Sequence, residues 1–266
     1  MPVFEDQLKR KVQLDIYPPK RIVSLVPSIT ELLFDLGAAE EIVGITRFCI
    51  HPESKVDSAK KIGGTKNILL DKVLELKPDL IIGCKEENTQ SDIEALEAKR
   101  PVWISDVNTL DDAIKLVHEL GILIDRQVAA QSITESIKTN FTNLKGAHNT
   151  KVAYLIWNSP IMVAANNTFI HDILQNIGFV NVYADQTRYP TTTIEELKTL
   201  NPDVVLLSSE PYPFKDEHLR FFSQSLPGSN VLLVDGTYFS WYGSRLIYAP
   251  EYFNSLSNSM LTTAKA

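Results

Sequence analysis

The segments that interrupt the apolar runs of this 266-residue chain carry a heavy load of rings. Stretches 47–52, 83–88, 157–162, 208–214 and 236–245 hold Phe48, Trp157, Met162, Tyr212, Phe214, Tyr238, Phe239, Trp241 and Tyr242. Loops are ordinarily polar, so rings gathered there can wall a pocket for a large flat or apolar ligand; some can equally fold back as plugs of the core. Arg245 can hold a carboxylate or phosphate of such a ligand, or serve as a helix-start arginine with a structural partner. Glu86, Glu87 and Glu210 can act as acid–base groups, bind a cation, or remain solvated carboxylates.

Patterns that organise catalysis are absent from the sequence. It has no GxSxG, no phosphate loop and no GxGxxG after a strand. His51, His118, His148, His171 and His218 lie far apart without HxH or HxxxH spacing, and Cys49 and Cys84 form no CxxC. The expectation is a binding protein with no metal centre and no catalytic cofactor.

The elements that must position these loops alternate strand and helix. Residues 71–86, DKVLELKPDLIIGCKE, match residues 195–210, EELKTLNPDVVLLSSE. Asp71 and Glu195, Pro78 and Pro202, Asp79 and Asp203, and Glu86 and Glu210 each lie 124 positions apart. Each copy reads as a short helix stopped by proline, followed by the continuous apolar run of a buried parallel strand. Between the copies, 125–146 read as one helix with Asp125 as N-cap and Gly146 as stop, carrying apolar residues at helical spacing. Two copies about a long helix predict a duplicated lobe. Further strands are expected at 21–26, 41–46, 101–105, 151–157, 180–183 and 230–235, and the first twenty residues as an arm or edge hairpin. Ser28 is expected to cap a helix over 29–36, with Glu31 in its first turn; Thr109 with Asp112 to open a helix ending at Gly121; and Thr193 with Glu196 to open the second repeat helix, leaving Glu195 pointing outward. Helices are also expected at 91–99, 166–177, 217–225 and from the last loop to about 261. In such α/β sheets ligands sit beyond the carboxyl ends of the strands.

Composition narrows the partners. Hydrophobic residues make up 44% and charged residues 22%, an ordinary globular balance. A net charge of −7 without a basic run argues against nucleic acid or anionic membrane as partner. No apolar stretch reaches the ~18 residues of a membrane span. The first twenty residues, MPVFEDQLKRKVQLDIYPPK, contain no export signal, which keeps a cytoplasmic location open.

Taken as a set, RIVSLVPSITELLFDLG at 21–37, the following Gly44-Ile-Thr, Gly63-Gly64-Thr and both repeat segments resemble the periplasmic-binding proteins for cobalamin, haem and ferric siderophores. The resemblance runs over nearly the whole chain from Arg21 and is nearest in pattern to the cobalamin-binding branch. It implies one domain over 21–261: an N-terminal lobe at 21–124, a connecting helix at 125–146 and a C-terminal lobe at 147–261, with a ligand cleft between two mostly parallel sheets. It further implies delivery to an ABC permease from the periplasm or cell surface, by a monomer, with docking carboxylates at Asp71 and Glu195. The branch's aromatic pocket falls near Phe48, Met162, Tyr189 and Trp241. Cys84 stands where that branch has a tryptophan, and Thr237 and Trp241 stand where it has a ligand-contacting acid and arginine. The expected ligand is cobalamin or a related corrinoid or large metal chelate, contacted by Phe48, Cys84, Glu86, Trp157, Met162, Tyr189, Glu210, Tyr238, Trp241, Tyr242 and Arg245. The rival readings are a haem or ferric-siderophore receptor, and a cytosolic metal-chelate handler or enzyme on the same fold.

Overall fold

The computed structural model describes residues 1–146 and 149–263, so His148 lies outside the described residues. The chain divides into two compact units: Met1–Val107 with Asp111–Ile137 and Tyr242–Arg245, and Asn108–Leu110 with Lys138–Trp241 and Leu246–Ala266.

The first unit opens with an antiparallel hairpin, β1 (Val3–Glu5) and β2 (Lys11–Gln13). Its turn is organised by the buried Asp6 carboxylate, which takes the Arg10 guanidinium at 2.6 and 2.8 Å and the backbone N–H groups of Leu8 and Arg10. A buried charge persists only when paired and fully hydrogen-bonded, and Asp6 is both. Next come β3 (Ile22–Ser24), α1 (Pro27–Asp35), β4 (Ile42–Ile45), β5 (Lys60–Lys61), α2 (Leu70–Glu75), β6 (Leu80–Cys84), α3 (Gln90–Glu97), β7 (Val102–Ser105), α4 (Leu110–Leu123), whose first residue is assigned to the second unit, and α5 (Gln127–Thr142), which passes to the second unit from Lys138. The sheet is parallel throughout, in the order β5-β4-β3-β6-β7. Every residue of β6 and β7 is buried, as continuous apolar runs covered on both faces require.

The second unit contains β8 (Thr150–Asn158), β9 (Ile161–Val163), α6 (Phe169–Ile177), β10 (Phe179–Asn181), α7 (Ile194–Leu200), β11 (Val204–Ser208), α8 (Asp216–Ser225), β12 (Asn230–Val234), the single turn α9 (Thr237–Ser240), a 3-10 turn (Ser244–Ile247) assigned in part to the first unit, and α10 (Ala249–Thr263). Strand order is β10-β8-β11-β12, all parallel, with β9 folded back antiparallel on β8.

The sequence repeat has a structural counterpart. With β5 and β9 set aside, each sheet runs second-first-third-fourth in chain order: β4-β3-β6-β7 against β10-β8-β11-β12. Strands β6 and β11 occupy positions exactly one repeat length apart, and so do Lys77 and Asn201, which end the two repeat helices with φ of 45° and 46°. A left-handed residue before the proline lets the chain leave the helix where the proline forbids another α residue.

Local departures from expectation have local causes. Helix α1 starts at Pro27, with Val26 as an extended N-cap, because proline at N1 gives up no hydrogen bond and presets φ. Ser28 is therefore a buried first-turn residue rather than the cap, and Glu31 lies beyond the first turn. Asp125 has φ 59° and stands in the corner between α4 and α5, so α5 begins at Gln127. Gly121 does not end α4. A Cβ there would stand 2.3 Å from the Ala130 Cβ, so the glycine is the point where the two helices touch. Helix α5 ends at Thr142, not Gly146: Asn143 and Leu144 close on i−3 carbonyls, and the Asn254 side chain takes the Lys145 N–H. Thr168 caps α6, which begins later than the apolar pattern suggests, while Thr193 caps α7 through the Glu196 N–H at 3.1 Å as expected.

Candidate functional site

In the first unit the loop after β4 carries Phe48, half exposed, with the Arg47 guanidinium 4.9 Å from its ring centre. Gly64 leaves room for that ring, which would lie 3.1 Å from a Cβ at this position. At the end of β6, Cys84 is buried, and burial pushes its thiol up to about 11, with the Glu87 carboxylate adding to the effect. The Tyr242 ring is buried beside Cys84 and Ser105, and burial raises its phenol well above the ordinary tyrosine value. Glu86 contributes backbone here: its carbonyl takes the Lys66 ammonium at 2.7 Å and its N–H faces the Cys84 sulfur. Arg245 forms a two-pronged ion pair with Glu31 at 2.9 and 2.6 Å, both side chains about 15% exposed. Two residues before Arg245, Gly243 lies against Leu32 with φ 125°. Cys49 is a second buried thiol, raised chiefly by desolvation and contacted by the Thr30 and Thr46 hydroxyls.

In the second unit the ends of β8 and β11 bring rings together. Trp157, 39% exposed, meets the Tyr212 ring edge-on at 5.5 Å, and Tyr212 meets Phe214 at 4.9 Å and the His218 ring at 5.3 Å. Met162 faces Trp157 across the β8–β9 pair and is bridged to Thr191. Tyr189 lies under the Arg188 guanidinium at 5.4 Å. Glu210 accepts hydrogen bonds from the Trp241 indole at 2.8 Å and from the Ser240 hydroxyl, so this carboxylate fastens the last loop. Trp241 is accordingly buried, and Tyr238 is stacked on Tyr252 at 4.4 Å. His171 is buried with its Nδ1 3.1 Å from the Asn181 amide, and desolvation lowers its pKa.

Asp71 and Glu195 lie in the first turns of α2 and α7. Both are exposed, and neither carboxylate has a hydrogen-bond or ion-pair partner among the described residues. Among those residues no group of three or more His, Cys, Asp or Glu is placed to hold a metal, and no helix is long and apolar enough to cross a membrane. Two features escaped the sequence reading: the arginine laid on each loop ring, signalled by the dipeptides Arg47-Phe48 and Arg188-Tyr189, and the pairing of Tyr212 with His218.

The periplasmic binding protein family profile matches residues 22–227. The vitamin B12-binding protein of Vibrio parahaemolyticus is 26% identical over 197 residues, covering 72% of this chain and 71% of that one. An ABC transporter substrate-binding lipoprotein of Bacillus subtilis, YvrC, is 28% identical over 201 residues, 71% of this chain and 63% of that one. Among solved structures, the periplasmic heme-binding protein RhuT from Roseiflexus sp. RS-1 in apo form superposes with a TM-score of 0.79 at 20% identity, over 92% of this chain and 99% of that one. The chain belongs to the periplasmic binding protein family, as a substrate-binding protein of the ABC import type rather than an enzyme.

Proposed function

We propose that this protein binds cobalamin or a related corrinoid, or another large metal chelate, and delivers it to an ABC permease outside the cytoplasmic membrane. The observation that carries the reading is the exposure of Trp157 at the end of β8, braced edge-on by Tyr212. A large indole left 39% exposed on such a support is the arrangement of a stacking platform rather than of core packing. In the second unit Tyr189 with Arg188 supplies a further face for a flat or apolar ligand, and in the first unit Phe48 with Arg47 presents a separate one. Trp241 and Tyr242 are buried, Tyr238 is stacked on Tyr252, and the Arg245 charge is directed at Glu31. Asp71 and Glu195 would meet basic side chains of the permease, the protein acting as a monomer.

Haem and ferric siderophores remain the second reading, favoured by the likeness to a heme-binding protein. Spectral titration with cyanocobalamin, haemin and a ferric hydroxamate decides between them. Saturable binding of cyanocobalamin with micromolar or tighter Kd is the expected result; preference for an iron chelate selects the second reading, and no response to any of the three rejects both.

A further inference from the structure

We infer that Tyr212 is the polar contact that orients the ligand, its phenol donating a hydrogen bond to an oxygen acceptor, carbonyl or carboxylate, on the ligand's rim. The inference rests on the receptor reading above and deepens it.

The argument begins at the start of α8. The Lys215 backbone N–H points to His218 Nδ1 at 3.0 Å. A backbone amide can only donate, so Nδ1 accepts, and the neutral ring carries its proton on Nε2. That Nε2 lies 2.9 Å from the Tyr212 hydroxyl. His218 therefore donates to Tyr212, and the direction is set by the helix cap. The Asn158 amide, at 3.5 Å, is a second and longer donor to the same oxygen. Glu217 Oε1 is 4.0 Å from Nε2, beyond hydrogen-bond distance.

Tyr212 thus receives hydrogen bonds while its own proton has no acceptor among the described residues. A half-buried phenol in that condition presents a donor to whatever lies in front of it. The oxygen is fixed in place: the ring is edge-on to Trp157, Phe214 and His218, and the Tyr212 N–H reaches toward the Ile156 carbonyl at 3.3 Å, one residue before Trp157. One rigid cluster therefore joins a stacking surface to a directed donor. Corrinoids and haems share the chemistry that fits it, a flat body edged with amide carbonyls or carboxylates. His218 is a positioning residue in this scheme, and Tyr212 touches the ligand.

Two measurements test this. In the ligand-free protein, 15N NMR of the imidazole is expected to show protonated Nε2 on His218. A proton on Nδ1 would mean that Tyr212 spends its own hydrogen on the histidine, and overturns the inference whatever the ligand. In titrations with cyanocobalamin and haemin, Tyr212→Phe is expected to bind the accepted probe about 5–30-fold more weakly with little change in Tm. His218→Ala is expected to lose similar affinity, with Tyr212→Phe/His218→Ala losing no more than either alone. Unchanged affinity in Tyr212→Phe, or a Tm loss in His218→Ala with affinity intact, overturns it. Binding of none of cyanocobalamin, haemin and a ferric hydroxamate by the wild-type chain rejects the receptor reading, and the imidazole tautomer still decides whether Tyr212 has a donor to offer.

Discussion

Replacing Gly121 by alanine tests the packing that fixes the start of α5. Alanine is the better helix former by about 0.8–1 kcal/mol, so propensity alone predicts stabilisation. The geometry predicts the opposite. The new methyl would stand 2.3 Å from the Ala130 Cβ, where carbon atoms rest at about 3.5–4.0 Å. The helices would have to part by roughly 1.5 Å to restore that contact. Neither atom can swing aside, since both are Cβ atoms, and the corner is held by the Arg126 N–H on the Gly121 carbonyl at 2.6 Å. Two Cβ atoms at that distance fall in the upper part of the usual overpacking range, about 2–3 kcal/mol, leaving a net loss of about 1–2 kcal/mol once propensity is subtracted. That corresponds to a fall of about 2–8 °C in Tm at roughly 2–4 °C per kcal/mol. Thermal unfolding followed by circular dichroism measures it. The double variant Gly121→Ala/Ala130→Gly removes the clash and is expected to be more stable than the sum of the single effects by about 1–3 kcal/mol. A Gly121→Ala variant as stable as wild type, or a cycle that simply adds, would refute the reasoning.

Other outcomes follow from the same contacts. Trp157→Ala should weaken binding of whichever chelate the protein accepts by about 10–100-fold in the spectral titration, the effect of losing a stacking anchor. Asp71→Ala with Glu195→Ala should leave that affinity within about twofold yet abolish stimulation of permease ATPase in proteoliposomes; retained stimulation counts against docking. Arg245→Ala strands Glu31 in a site 15% exposed and should cost about 2–4 kcal/mol in urea unfolding, partly restored by Glu31→Gln in the same chain. The Cys84 thiol, held near 11 in the fold against an ordinary value of 9.0, keeps its proton longer folded than unfolded. Stability from this group is complete below pH 9 and falls by ~1.4 kcal/mol per pH unit toward pH 11, a slope that Cys84→Ala should remove.

The repeat was readable because its determinants are local. Pro78 and Pro202 stop their helices by covalent geometry, and the apolar runs after them can only be buried strands. The Thr193 cap was readable for the same reason, since a hydroxyl three residues from the N–H it serves needs no tertiary partner. Arg245 and Glu31 lie 214 positions apart, and nothing in either neighbourhood announces the other. Gly121 reads as a stop until Ala130 is seen against it. Glu210 reads as a free acid in a loop, and only the fold brings the Trp241 indole to it. The gathering of aromatic residues in strand-end loops was legible, but sequence alone could not sort Trp157, which is exposed, from Trp241, which is buried.

Four residues near the end of the chain bear on how the protein can be taken apart. Tyr242–Arg245 belong to the first unit, where the Tyr242 ring sits over Cys84 and Arg245 neutralises Glu31. The first unit is therefore not one uninterrupted stretch of polypeptide. A fragment stopped at Ile137 would expose the thiol, uncover the flank of Leu32 and leave Glu31 without its cation, so the genetic order does not offer a clean place to cut.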